Sequence, residues 1–215
     1  MKIIKNGVAK ENALDDAQLE KINAQTLRAL TSDEVYTFRL AACDDQVDRD
    51  YERFPVETLE KLAPMFLGRT VLFDHEWSAK NQTARVYDAY VEESGGVNRL
   101  ILCCYMLLEG NDRIIAAIDA GILREVSVGC SVKMSRCSIC GKDIWTCSHF
   151  PGIEYAGKTC VGELVDPVDA YEISFVAVPA QPGAGVVKDY TPKDGKLLQA
   201  KMALKFEQEK WRYIE

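Results

Sequence analysis

The sequence predicts an α+β, mainly β protein, built as an antiparallel sheet or closed barrel with peripheral helices. Three observations predict it. Runs of β-branched and aromatic residues outnumber helical stretches. Two of those runs, 84–92 and 98–108, flank Ser94-Gly95-Gly96, a hairpin signal. Strands and helices do not alternate regularly, which argues against a doubly wound parallel sheet.

Taken in order, residues 13–30 read as a helix, with Leu14, Leu19, Ile22, Leu27 and Leu30 approximating one apolar face. Val35, Tyr36, Thr37 and Phe38 mark a strand over 34–42. The acidic stretch from Asp44 to Glu52 does not match the spacing of a calcium loop and reads as a solvated turn. Pro55 opens a helix to about Leu67, which Gly68 stops. Arg69 to Phe73 reads as a buried strand with His75 just beyond its end. A short helix follows over 111–121, with Asn111 as its cap and Gly121 as its stop. Strands are expected over 124–133 and 170–178, the second broken by Pro179-Ala-Gln-Pro-Gly. Residues 196–214 carry an amphipathic helical pattern, suited either to a partner or to its own domain.

The chain has 215 residues, enough for one domain with appendages. It has no apolar run long enough to span a bilayer. Its first residues lack the apolar stretch of a secretory signal, so an intracellular protein with reduced thiols is expected. A net charge of −7 argues against broad contact with nucleic-acid phosphates.

Eight cysteines in a reducing compartment point to metal rather than to a disulfide framework. Cys137-Ser-Ile-Cys140-Gly has the spacing of a metal knuckle, and Cys147 and His149 are one residue apart. Three sulfurs and one nitrogen suit tetrahedral zinc, and four protein ligands leave no place for water, so the metal is structural. Cys160 is either a substitute for His149 or a bystander. A redox Cys-x-x-Cys is a weaker reading, since no helix signal follows. A nucleic-acid zinc module is weaker too, since Arg136, Lys142 and Lys158 make a thin basic surface. Cys43, Cys103, Cys104 and Cys130 read as small buried hydrophobes.

The sequence contains two histidines. With His149 assigned to metal, His75 is the imidazole left to act as a base near neutral pH. A serine needs such a base to become a nucleophile. Ser127, between two valines on a strand, is one candidate, although a strand serine by itself marks only a solvent face.

Three segments in order carry a resemblance: Gly68-Arg-Thr-Val-Leu-Phe-Asp-His75, Ala120-Gly-Ile-Leu-Arg-Glu-Val-Ser127-Val-Gly, and Ala170-Tyr-Glu172-Ile-Ser-Phe-Val-Ala-Val-Pro-Ala-Gln-Pro. The Asp44 to Phe54 loop and the 111–121 helix add to it. Together residues 33–187 resemble the prohead (procapsid maturation) proteases of tailed bacteriophages. The resemblance implies a serine endopeptidase with a small closed barrel similar to the herpesvirus assemblin fold. It implies His75 as base, Ser127 as nucleophile and Glu172 as third member, with Asp169 as nearest rival. The implied substrates are the scaffolding protein, the major capsid protein and the chain itself, cut in the host cytoplasm inside the procapsid. The cysteine segment looks like an insertion into the family pattern, similar to a variant found in some of these enzymes. The domain reading is an N-terminal helical extension (1–32), a protease domain (33–190) with a zinc-knuckle insertion (135–162), and a C-terminal helix (191–215) that offers a surface for self-association. Two rival readings are a non-catalytic head-assembly protein with the same fold and zinc site, and a thiol enzyme using Cys130 or the Cys137/Cys140 pair.

Overall fold

The computed structural model describes residues 14–187. The amphipathic pattern over 196–214 lies outside them. The first helix, α1 (Asp16–Asn23), opens on a capping box in which Asp15 and Gln18 satisfy each other's backbone N–H groups. It stops seven residues short of the predicted end. The Asn23 side chain accepts from the Leu30 N–H at 2.8 Å and donates to the Leu30 carbonyl at 3.1 Å, folding the chain back on itself. Leu30 and Ile22 are buried by this turn, whereas Leu27 is fully exposed. Side-chain competition for backbone groups thus overrides the helical periodicity.

The main sheet combines β1 (Val35–Asp44), β2 (Glu52–Arg53), β3 (Thr70–Phe73), β4 (Ala84–Ser94), β5 (Val97–Leu107), β6 (Val126–Cys137), β9 (Gly162–Phe175) and β10 (Gly185–Val187). A separate ribbon pairs β7 (Glu154–Tyr155) with β8 (Lys158–Thr159). The β4–β5 hairpin turns at Gly95 and Gly96, both at positive φ (63° and 77°), as a two-residue connection with the sheet's twist requires. The strand order is β10-β1-β5-β4-β3-β9-β2, with β6 on the remaining side of β9.

This arrangement corrects the expected closed antiparallel barrel. The sheet is mixed, because β3 and β2 both run parallel to β9. It is also open. A closed barrel needs a continuous ladder around its circumference. The three residues of β10 pair with β1, and β10 meets the start of β6 through one isolated bridge, Glu125 to Gly185. Among the described residues no ladder follows that bridge.

Helix α2 (Val56–Met65) packs on β4, β5 and β9, and Gly68 at φ 75° reverses the chain into β3 as expected. Helix α3 (Asp112–Asp119) forms where predicted, but the Asn111 side chain donates to the Leu107 carbonyl instead of capping the helix. Leu40, Leu59, Leu62, Phe66, Val71, Val86, Leu100, Leu102, Val126 and Ile173 belong to one core. Each contributes about 1.5–3 kcal/mol on full burial. A second cluster of Ile22, Leu30, Val35, Tyr87 and Cys103 includes residues of the α1 segment, β1, β4 and β5. Cys43, Cys103 and Cys104 are buried, as small hydrophobes should be, and Cys130 is half-buried. Among the described residues no helix is long and apolar enough to cross a membrane.

Candidate functional site

β9 decides which side chains meet. Its alternation sends Ile173 and Phe175 into the main core and Glu172 and Ser174 to the opposite face. On one side β3 places Thr70 beside Glu172 and Leu72 beside Ser174. On the other side β6 places Gly129 opposite Glu172 and Ser127 opposite Ser174. Directly opposed residues of an antiparallel pair share a face, with Cβ atoms about 4.5–5.5 Å apart. Ser127 therefore shares a face, and an immediate border, with Glu172 and Ser174.

His75 reaches the same place from the end of β3. Asp74 N–H donates to the Phe175 carbonyl at 2.9 Å, the last backbone contact of that ladder. Asp74 and His75 then both adopt positive φ (52° and 54°). For residues other than glycine this left-handed conformation costs roughly 1–2 kcal/mol each. It turns the imidazole so that Nδ1 lies 2.7 Å from Glu172 Oε1. A carboxylate only accepts, so this contact suits a hydrogen on Nδ1, and in the neutral ring that tautomer leaves the Nε2 lone pair free. The ring is part-exposed and Ser127 is half-buried, whereas Glu172 is 2 % exposed. Asp169, the other acidic candidate, is in an ion pair with Arg69 at 2.7 Å, so Glu172 is the carboxylate at the imidazole. A cleft of about 400 Å³ borders Glu172, lined by Leu72, Trp77, Gln82 and Tyr171 among others. Trp77 and Tyr171 stand 5.4 Å apart, tilted and exposed at its rim.

Gly129, which by sequence suits either close substrate approach or packing, is packed against the Glu172 carboxylate. A Cβ there would lie 2.2 Å from Glu172 Oε1, the oxygen that meets His75. Only glycine leaves room for that carboxylate. Gly129→Ala is expected to destabilise the fold by about 1–3 kcal/mol and to break the His75–Glu172 contact. Thermal unfolding, together with loss of a low-field Nδ1–H proton resonance of His75, checks this. Unchanged stability with the resonance retained would contradict it.

Cys130 shows no sign of an activated thiol. Burial, then the Glu52 and Glu172 carboxylates, push it up to about 11, the reverse of what a nucleophilic thiolate needs.

The cysteine segment lies between β6 and β9. Cys137 ends β6, the Gly141 N–H turns back to the Cys137 carbonyl at 2.8 Å, and Gly141 takes φ 74°. Cys147 and His149 follow on the next turn. One ligand atom from each of Cys137, Cys140, Cys147 and His149 lies within 4.8 Å of all the others. His149 Nδ1 is shielded from solvent with no hydrogen-bond partner, a cost that a ligand role would remove. Its ring stands edge-on to Tyr155 at 4.6 Å. Burial raises the Cys137 thiol, but the N–H groups of Cys140 and Ile139, together with hydrogen bonds from the Cys140 and Cys160 thiols, bring it down to about 6. A thiolate is thereby favoured where a metal needs one. The group is a Cys3His set able to hold a metal ion. Cys160, fully buried, adjoins it with its sulfur 3.7 Å from that of Cys137. Tetrahedral zinc with Zn–S near 2.3 Å sets sulfurs about 3.8 Å apart, so Cys160 is within ligand range of Cys137.

Ser174 is the residue of this site that the sequence reading leaves unassigned, whereas Cys160 stands there as the alternative to His149. The Glu-x-Ser spacing on one strand was the available signal for Ser174. No protein-family model, curated protein or solved structure matches this chain.

Proposed function

We propose that this chain is a serine endopeptidase of phage head maturation that cuts scaffolding protein and major capsid protein inside the procapsid, and also itself. The observation that supports it best is the 2.7 Å contact between His75 Nδ1 and Glu172 Oε1, on the sheet face that also carries Ser127. Substrates and compartment come from the resemblance of residues 33–187 to the prohead proteases.

In this reading Ser127 Oγ attacks the scissile carbonyl as His75 Nε2 takes its proton. His75 then protonates the leaving amine, and water repeats the sequence to release the acyl group. Glu172 holds the imidazole with Nε2 outward and stabilises imidazolium while it lasts. Its near-complete burial keeps that interaction out of solvent, where it acts more strongly. The cleft bordered by Trp77 and Tyr171 receives a substrate side chain.

The metal group has a separate part. Zinc held by Cys137, Cys140, Cys147 and His149 acts as a cross-link for a segment with a small core of its own, centred on Cys137, Ile144 and Cys160. It supplies no chemistry to the cleavage.

The test is co-expression with a phage scaffolding protein and major capsid protein, followed by intact-mass spectrometry. Truncated capsid protein with the native chain, and full-length capsid protein with Ser127→Ala, supports the reading. Full-length capsid protein in both overturns it.

A further inference from the structure

The Glu172 carboxylate has one partner on each oxygen. Oε1 faces His75 Nδ1, and Oε2 accepts from Ser174 Oγ at 2.6 Å. Ser174 is completely buried, so no water competes for that hydroxyl. Ser174 Oγ in turn accepts the backbone N–H of His75 at 3.1 Å. The β3 ladder has ended one residue earlier, so this N–H finds its partner on a side chain of β9 instead of its backbone. A serine hydroxyl has one hydrogen to give and lone pairs to accept with. Here both are used, in one direction: His75 N–H to Ser174 Oγ–H to Glu172 Oε2. The chain of donors ties the main chain that carries the imidazole to the carboxylate that the imidazole must meet. It also fixes the carboxylate plane, because each of its oxygens is held from a different side.

Ser127, directly across the β6–β9 pair, differs in each respect. It is half-buried, where Ser174 is closed to solvent. Two serines side by side on one face thus have unlike surroundings: one is half-buried, while the other is closed to solvent and spent on internal hydrogen bonds.

We propose that Ser174 is a positioning residue, whose hydroxyl, shared between the His75 amide and the Glu172 carboxylate, locks the imidazole in its Nδ1–H tautomer with Nε2 turned outward. The lock is a property of the folded chain, and it rests on the endopeptidase reading only for what the held imidazole is used to do. Without the hydroxyl, Glu172 Oε2 loses its donor and the His75 N–H its acceptor. The carboxylate is then free to turn, and the ring to exchange tautomers.

The experiment is NMR of the full chain, zinc-loaded and labelled with ¹⁵N at its two histidines, with His75→Gln used for assignment. The native chain is expected to show a low-field, slowly exchanging Nδ1–H and ring shifts of a single tautomer for His75. Ser174→Ala loses that proton and shows mixed tautomers, with its circular dichroism unchanged. Ser127→Ala keeps both features, since its hydroxyl is not part of the lock. If the alanine chain does not fold, Ser174→Cys, similar in size but a poor donor, makes the same comparison. A second readout is the rate at which a fluorophosphonate modifies Ser127, expected to fall roughly 10- to 100-fold in Ser174→Ala. The proton and the single tautomer persisting in the folded Ser174 variants would overturn the proposal. Their loss in a chain whose native form never reacts at Ser127 would uphold the lock and count against the endopeptidase.

Discussion

Ser127→Ala and His75→Ala are each expected, on the endopeptidase reading, to reduce cleavage of the capsid substrate by roughly 10⁴-fold or more, while the protein stays folded. The size follows from the roles. Members of a nucleophile–base pair act as a unit, and removing either one removes nearly the whole chemical advantage. The folding expectation follows from placement. Ser127 is half-buried and His75 part-exposed, so neither truncation opens a cavity in the main core. His75→Ala also leaves Glu172 buried without one of its two partners, which costs stability on the order of 1–3 kcal/mol. Ser127→Ala carries no such penalty. The pair therefore separates by melting temperature while agreeing in activity. Cleavage assays and thermal unfolding of both variants check this. Substantial activity in either folded variant would contradict it.

The second large effect is expected at the metal group. Cys140→Ser removes one candidate ligand from an exposed position, so the change takes away little packing. Any large loss of stability then reports the metal. Metal-linked folding energy is substantial in small modules, so the loss is expected to be on the order of 4 kcal/mol. Proteases should then cut within residues 138–159. The ladder of β6 with β9 runs up to the pair Cys137 and Gly162, so the sheet closes off the damage at that point. Zinc content by mass spectrometry and a denaturant titration read the two halves of this prediction. A zinc-free native protein, or a Cys140→Ser chain with the same midpoint, would contradict it. His149→Ala and Cys160→Ala, assayed alike, identify the fourth ligand as the one whose loss lowers zinc affinity.

Local features of the fold were legible in the sequence where local chemistry decided them. Ser94-Gly95-Gly96 predicted the β4–β5 hairpin because a two-residue turn needs positive φ at both central positions. Gly68 predicted the end of α2 for a related reason. Apolar spacing predicts too long an α1 because it does not encode the Asn23–Leu30 bonds that end the helix. Closure of the sheet is not legible in the sequence because it depends on whether β10 builds a ladder with β6, a question of long-range register.

The site divides in the same manner. His75 stood out because imidazoles are scarce in this chain, and the metal group because of Cys-x-x-Cys spacing. The partners of Gly129 and Ser174 were not legible, since strand pairing sets them. Gly129 is a glycine because Glu172 lies opposite it across β6 and β9. Ser174 matters because the neighbouring strand on the side of β9 away from β6, β3, ends where its hydroxyl can take the next backbone N–H.

The most direct measurement of the central claim is the site of covalent attachment of a fluorophosphonate probe, mapped by peptide mass spectrometry on the native chain and on His75→Ala. A single adduct at Ser127 in the native chain, absent from folded His75→Ala, is the predicted result. No adduct at Ser127, or one that forms equally well without His75, would contradict it.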